Sequence, residues 1–228
     1  MSILSKLKLK DKFHMLSAEE AVLYDRQLRA FGASTQQLLS RSVVVIELRD
    51  QLFEELAKTC AILGFHTLIC LGRQRSNAFD LRNLNRYCTV EVVDTSSSVS
   101  TALTEAVRYR ATDAVYLLLA SSSLYDDLHE CISSLSTVHS RPQPYFLNFT
   151  QEDPSMLQVS IDKRPDDSYT LSEHCEIEDM CFLADMLGYF LFNLLRSRAD
   201  TDAEHTGQPP PCSCTLRRDG LFWKITNG

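Results

Sequence analysis

Three stretches of this chain are apolar without interruption, and they constrain its fold more than any other feature. Val43-Val44-Val45-Ile46, Thr67-Leu68-Ile69-Cys70-Leu71 and Ala114-Val115-Tyr116-Leu117-Leu118-Leu119 are short, and the first is β-branched throughout. A strand that faces water on one side alternates apolar with polar residues. An unbroken run belongs to a strand covered on both faces, as in a parallel sheet sandwiched between helices. Between the first two runs lies Gln51 to Leu63, a helical stretch closed by Gly64, so strand, helix and strand form a βαβ unit with parallel strands and a right-handed crossover. The expected class is therefore α/β, with a Rossmann-like, mainly parallel sheet flanked by helices.

Such folds commonly cradle a nucleotide on a glycine-rich turn after the first strand. This chain has 7 glycines in 228 residues, and no two of them lie within five positions of each other. That excludes a G-x-G-x-x-G loop, and no G-K-[ST] follows a strand to make a Walker loop. The turn after Ile46 instead reads Glu47-Leu48-Arg49-Asp50. Its side chains would hold a triphosphate away from the backbone amides, and Glu47 and Asp50 would repel it.

The rest of the chain supplies further elements. Residues 17–31 read as one helix with a capping box, Ser17 and Glu20 in S-x-x-E spacing, and Gly32 placed to end it. Tyr24, Leu28 and Phe31 fall on one face as a core stripe, with Arg26 and Arg29 on its flank. Further helices are expected at 34–40, 98–109 and 124–135. Extended segments are expected at 145–149, 156–161 and 221–225. The nearly all-round apolar stretch 178–196 reads as a buried helix; its most apolar part, Phe182 to Leu195, is about 14 residues long, carries Asp185 and is too short to span a bilayer. Residues 197–215 read as a polar, Pro-rich loop. The organisation expected is an N-terminal extension, 1–15, followed by a single domain, 16–228.

Charge and cysteine usage narrow the classes. With 23 Lys plus Arg against 30 Asp plus Glu, the net charge of -7 argues against nucleic-acid binding through an overall positive field. The Lys-studded N-terminus MSILSKLKLKDKF has no apolar core of the kind a secretory signal needs. Cys60, Cys70, Cys88 and Cys131 lie in or beside apolar runs and read as small hydrophobes. No C-x-x-C pair exists for a structural zinc, so no metal site is expected; Cys212 and Cys214 form the one close pair, and their role stays open. His174-Cys175 and His129-Glu130 are sequence neighbours, which seldom face each other, and no G-x-S-x-G elbow marks a serine nucleophile.

Two segments carry a family resemblance. Tyr24-Asp25-Arg26-Gln27-Leu28-Arg29 with Gly32, followed by a helix and a buried strand, resembles the opening of the ThiF-type activating enzymes for ubiquitin-like proteins. Asn83-Leu84-Asn85-Arg86 is similar to that family's N-L-N-R motif. With Leu16-Ser17-Ala18-Glu19-Glu20-Ala21 ahead of it, the chain is most similar to the non-catalytic first subunit of the SUMO-activating pair. The resemblance implies paired Rossmann-like halves. One half binds ATP and magnesium and adenylates the modifier's C-terminal glycine. The other buttresses it and reaches one arginine into its nucleotide site; here that arginine is Arg26.

Measured against the active half, several features are missing. Leu71-Gly72-Arg73 stands where an acidic ribose ligand follows the second strand, and Ala120-Ser121 where a magnesium-binding Asp follows the third buried strand. Ser96-Ser97-Ser98 and Ser100 occupy the region of an expected lysine. The resemblance thus implies an inactive half that binds no cofactor alone. It implies a heterodimer with a catalytic ThiF-like chain, service to a modifier such as SUMO, and a place in the nucleus and cytoplasm. Asn85 and Arg86, nucleotide ligands in the active half, imply residual cofactor contact, against a plain loop held by Asn side-chain hydrogen bonds. The alternatives are the regulatory subunit for neddylation, a methyltransferase with Glu47 on a ribose, or a Rossmann-like scaffold.

Overall fold

The computed structural model describes residues 17–72, 81–94, 115–120, 124–131, 145–153, 156–161, 177–201, 213–219 and 222–227. Eight strands form one sheet: β1 Ser42–Glu47, β2 Thr67–Leu71, β3 Thr89–Val93, β4 Val115–Leu119, β5 Tyr145–Asp153, β6 Met156–Ile161, β7 Ser213–Asp219 and β8 Phe222–Asn227. Their spatial order is β3-β2-β1-β4-β5-β6-β7-β8. The first five are parallel, and β5 to β8 continue as an antiparallel meander. The chain leaves β1 in one direction for β2 and β3, then returns to lay β4 on its other side. The C-terminal ends of β1 and β4 therefore mark the topological switch point, where Rossmann-like sheets open a crevice.

Among the described residues, seven helical segments accompany the sheet: α1 Ala18–Leu23, α2 Asp25–Phe31, α3 Ala33–Leu39, α4 Gln51–Leu63, α5 Leu81–Leu84, α6 at 124–131 and α7 Ile177–Thr201. The unbroken apolar runs are explained by what lies on each face. Val44, Ile46, Leu68, Cys70, Leu117 and Leu119 join one core with Leu52, Leu56 and Cys60 of α4 and Leu187, Phe190 and Leu194 of α7. Val43, Val45, Ile69, Leu71 and Leu118 point the other way and pack with Leu128 and Cys131 of α6. Both pleats are covered, so apolar side chains fill both, with Ser42 and Thr67 the buried polar exceptions at the starts of β1 and β2.

Local signals set the helix ends. Ser17 Oγ accepts from the Glu20 amide at 3.1 Å while Glu20 Oε2 accepts from the Ser17 amide at 2.8 Å, closing the expected capping box. Gly64 ends α4 in the left-handed region (φ 92°), and the Phe65 amide donates back to the Cys60 carbonyl at 3.1 Å.

Several expectations change. The single helix at 17–31 is two helices, broken at Tyr24 (φ −96°, ψ 15°), whose ring is drawn into the core. The Pro-rich loop at 197–215 is narrower, because α7 runs to Thr201 and β7 begins at Ser213. Two strands, β3 and β7, had no sequence expectation. Residues 1–16, Arg73, the serines at 96–98 and 121–123, Ser100, the helix at 98–109, His174-Cys175 and Cys212 lie outside the described residues.

Candidate functional site

At the switch point, side chains fill the turn between β1 and α4. The Leu48 amide donates to the Leu71 carbonyl at 2.8 Å, and Leu48 itself is buried. Asp50 caps α4, its Oδ1 accepting from the Phe53 amide at 3.3 Å. A carboxylate of the chain thus sits where helix N-termini in nucleotide-binding folds receive a phosphate. Phe53 is fully buried, with the Arg49 guanidinium 4.6 Å from its ring centroid. Arg49 Nε and Glu47 Oε2 are 3.8 Å apart. The residues of this turn do not fit a triphosphate: it has no glycine for close backbone approach, and the Asp50 carboxylate already occupies the N-terminus of α4. Beyond β2, Gly72 adopts φ 131° and its amide donates to the Val93 carbonyl at 2.9 Å.

A second region gathers both family-like segments. A cleft of about 400 Å³ is lined by Val22, Leu23, Arg26 and Gln27 of the α1–α2 arm, Ile62 of α4, and Leu84 beside Asn85. Its rim is unusually apolar for solvent-facing surface: Val22 is 78% exposed, Leu23 55%, Ile62 56% and Leu84 46%. Arg26 lies among them, exposed, with no hydrogen bond or ion pair among the described residues. Arg29, its equal by sequence, is committed: its guanidinium reaches both oxygens of Asp25 at 3.0 Å, an i, i+4 pair. Gln27 Oε1 on the same cleft is buried without a hydrogen-bond partner among the described residues.

Asn85 and Arg86 of the N-L-N-R segment reach the arm rather than the switch point. Asn85 Nδ2 donates to Tyr24 Oη at 2.7 Å and to the Ala61 carbonyl at 2.7 Å, and its Oδ1 accepts from the Tyr87 amide at 3.0 Å. Both donor hydrogens are used inside the protein. Burial pushes the Tyr24 phenol above its usual range, a rise partly offset by the Asn85 bond. Arg86 Nη2 donates to Glu19 Oε2 at 2.7 Å and to Tyr87 Oη at 2.8 Å, and the Tyr87 hydroxyl donates to the same Glu19 oxygen at 3.0 Å. These Glu19 contacts are exposed. The Tyr87 hydroxyl first, and Glu19 after it, push the pKa of the Arg86 guanidinium above its ordinary range.

The sequence placed Arg26, Asn85 and Arg86 in two separate motifs; the structure brings Arg26 and Asn85 to one cleft. It missed Val22, Leu23, Ile62 and Leu84 as a collar. Val22 and Leu23 carried a signal, being apolar positions off the Tyr24, Leu28 and Phe31 stripe. Among the described residues, no group of three His, Cys, Asp or Glu side chains is placed to hold a metal ion, and no helix is long and apolar enough to cross a membrane. His129 stacks on Tyr125 across one helical turn, with centroids 5.8 Å apart, while Glu130 is exposed.

Comparison with known proteins supports the fold. No family model matches the chain. One curated relative, the DNA damage tolerance protein Rad31 of Schizosaccharomyces pombe, is 40% identical over 58 residues, which is 25% of this chain and 19% of that protein. Among solved structures, PaaA superposes with a TM-score of 0.61 at 14% identity, covering 94% of this chain and 75% of PaaA. Escherichia coli MccB with AMPCPP and MccA gives 0.53 at 11% identity, covering 97% and 76%. The same protein with ATP gives 0.52 at 10%, covering 90% and 70%. The chain has the ThiF-type Rossmann-like fold of these structures.

Proposed function

We propose that this chain is the non-catalytic half of a heterodimeric activating enzyme for a ubiquitin-like modifier, with SUMO as the first candidate. The partner is a catalytic ThiF-like chain that binds ATP and magnesium and adenylates the modifier's C-terminus. The pair works in the nucleus and cytoplasm. The observation that carries this reading is Arg26: an arginine without a partner among the described residues, sharing a cleft with four exposed apolar side chains, on a fold whose own phosphate turn is filled. Exposed apolar collars mark protein interaction surfaces. Covering this collar would strip water from Arg26 and strengthen its pull on an anion brought by the partner.

The chemistry asked of Arg26 suits its geometry. Pyrophosphate leaving ATP gains negative charge, and a permanently charged, forked guanidinium bridges phosphate oxygens where a lysine offers a point charge. Positioned across an interface, it stabilises charge that grows toward the transition state. No step of the reaction is assigned to the β1–α4 turn of this chain.

The test is ATP–pyrophosphate exchange with the modifier, run on the chain alone and on mixtures with candidate catalytic subunits. Exchange is expected only in the mixture, and Arg26→Ala is expected to lower it about 10²–10³-fold without loss of the heterodimer, as for removal of one transition-state donor. Exchange by the chain alone, or an Arg26→Ala complex of full activity, would overturn the reading. Absence of any complex would favour a scaffold.

A further inference from the structure

The N-L-N-R segment is out of place in a chain whose phosphate turn is filled, and its contacts give it another task. Tyr24 is the joint of the arm: it ends α1, begins α2, and precedes Arg26 by two residues. Its ring is 4% exposed and its hydroxyl accepts from Asn85 Nδ2 at 2.7 Å. Asn85 is itself fixed to the α4 carbonyl of Ala61 and, through an Asx-type bond, to the Tyr87 amide. On the outer side of the joint, Arg86 and Tyr87 both hold Glu19 in the first turn of α1. One exposed contact therefore holds the first turn of α1, and one buried contact holds the joint itself. Gly64 makes room for it: a Cβ there would lie 2.9 Å from the Tyr24 ring and 2.6 Å from Gln36 Nε2.

We infer that Asn85 and Arg86 are positioning residues for Arg26, fixing the angle between α1 and α2 so that the guanidinium stands free in the apolar collar. A continuous helix through 17–31 would carry Arg26 round with the turn of its backbone; the Tyr24–Asn85 bond holds the break open instead. Asn85 spends its donors on the joint and the last turn of α4, so the motif persists here as a clamp between arm and domain. This inference rests on the partner-directed reading of Arg26.

The test pairs an activity cycle with a measurement on the chain alone. In the reconstituted heterodimer, Tyr24→Phe removes one hydroxyl and leaves the ring. It is expected to lower kcat for exchange about tenfold with KM for ATP and modifier unchanged, the cost of leaving one buried amide hydrogen unpaired. In the Arg26→Ala background the same substitution is expected to have no further effect. An equal drop in both backgrounds, or none in either, overturns the positioning role while leaving Arg26 in place. If Arg26→Ala is itself without effect, the parent reading fails and the positioning role with it. In the free full-length chain, Tyr24→Phe is expected to speed amide hydrogen exchange across 18–31 about tenfold, with β1 and β2 unchanged. Unchanged exchange across the arm overturns the clamp independently of any partner.

Discussion

Gly188 sits where α7 comes closest to α4, and replacing it by alanine tests the packing that supports the arm. A Cβ at this position would lie 2.5 Å from Thr59 Cγ2, 3.2 Å from Leu63 Cδ1 and 3.7 Å from Thr59 Cβ. Ordinary carbon contacts are about 3.5–4.0 Å, so the first distance is short by about 1 Å. Leu63 ends in a flexible methyl and can give. Thr59 cannot turn freely, because its Oγ1 donates to Asp185 Oδ1 at 2.9 Å and its χ1 is β-branched. Sliding α7 outward instead would loosen Leu187, Phe190 and Leu191, each at most 2% exposed. Overpacking of this kind costs about 1–3 kcal/mol. Alanine returns about 0.8–1.0 kcal/mol of helix propensity. An overlap of about 1 Å against a fixed side chain puts the cost in the upper part of the overpacking range, about 2–3 kcal/mol. The net expectation is therefore a loss of about 1–2 kcal/mol, a fall in Tm of roughly 2–8 °C for a chain of this length, read by calorimetry and by the urea midpoint. Thr59→Ser removes Cγ2 and keeps the bond to Asp185, so the double variant is expected to recover most of the loss. A Gly188→Ala protein as stable as its parent, or a double variant with no recovery, would refute the steric reasoning.

Two further outcomes follow from the same contacts. Asp50→Ala removes the N-cap of α4 and is expected to lower the urea-unfolding free energy by about 1 kcal/mol; an unchanged midpoint would show that the Phe53 amide finds another acceptor. Burial pushes the thiols of Cys70 and Cys88 up to about 12 from an ordinary 9.0, and drives Cys60 higher still, with neighbouring thiols adding to the rise. Below the ordinary thiol pKa both folded and unfolded chains hold these protons. Above it the unfolded chain sheds them and the folded chain does not, so stability is complete at neutral pH and is lost as pH climbs from about 9 toward 12, at up to about 1.4 kcal/mol per pH unit for each thiol. Urea midpoints that stay level across this range would contradict burial of the three thiols.

How much of this was legible in the sequence depends on whether the cause was local. The capping box at Ser17 and Glu20, the stop at Gly64 and the doubly covered strands β1, β2 and β4 follow from neighbouring residues or from a run's own composition. The break at Tyr24 does not: its hydrogen-bond partner Asn85 is 61 residues away, and nothing in the capped 17–31 stripe announces it. β3 is an edge strand with only Val90 and Val93 buried, and β7 is mostly polar, so neither shows an apolar run. Arg26 was legible only through its motif. Its difference from Arg29 required seeing that Asp25 reaches one arginine and not the other.

The two ends of the domain make opposite use of local stability, and that contrast bears most directly on function. Ligand sites keep strained turns, gaps and unmet polar groups that a chain free of the ligand has no reason to retain. At the β1–α4 turn the chain has closed most such openings: Leu48 and Phe53 are buried, Asp50 caps the helix, and Arg49 lies over an aromatic ring, with only its Nε short of a hydrogen-bond partner among the described residues. At the α1–α2 arm it has done the reverse. Four large apolar side chains face water, Gln27 Oε1 lacks a partner among the described residues, and Arg26 stands without an acceptor while its neighbour is paired. Substituting polar residues at Val22 or Leu23 would cost the free chain nothing in packing. A buried asparagine, a glycine with positive φ and a hydroxyl bond instead converge to hold this unfavourable surface in one orientation. A rigid mount beneath an exposed apolar collar, with Arg26 on the same cleft and unpaired among the described residues, is the arrangement the proposed partner-directed role of Arg26 requires.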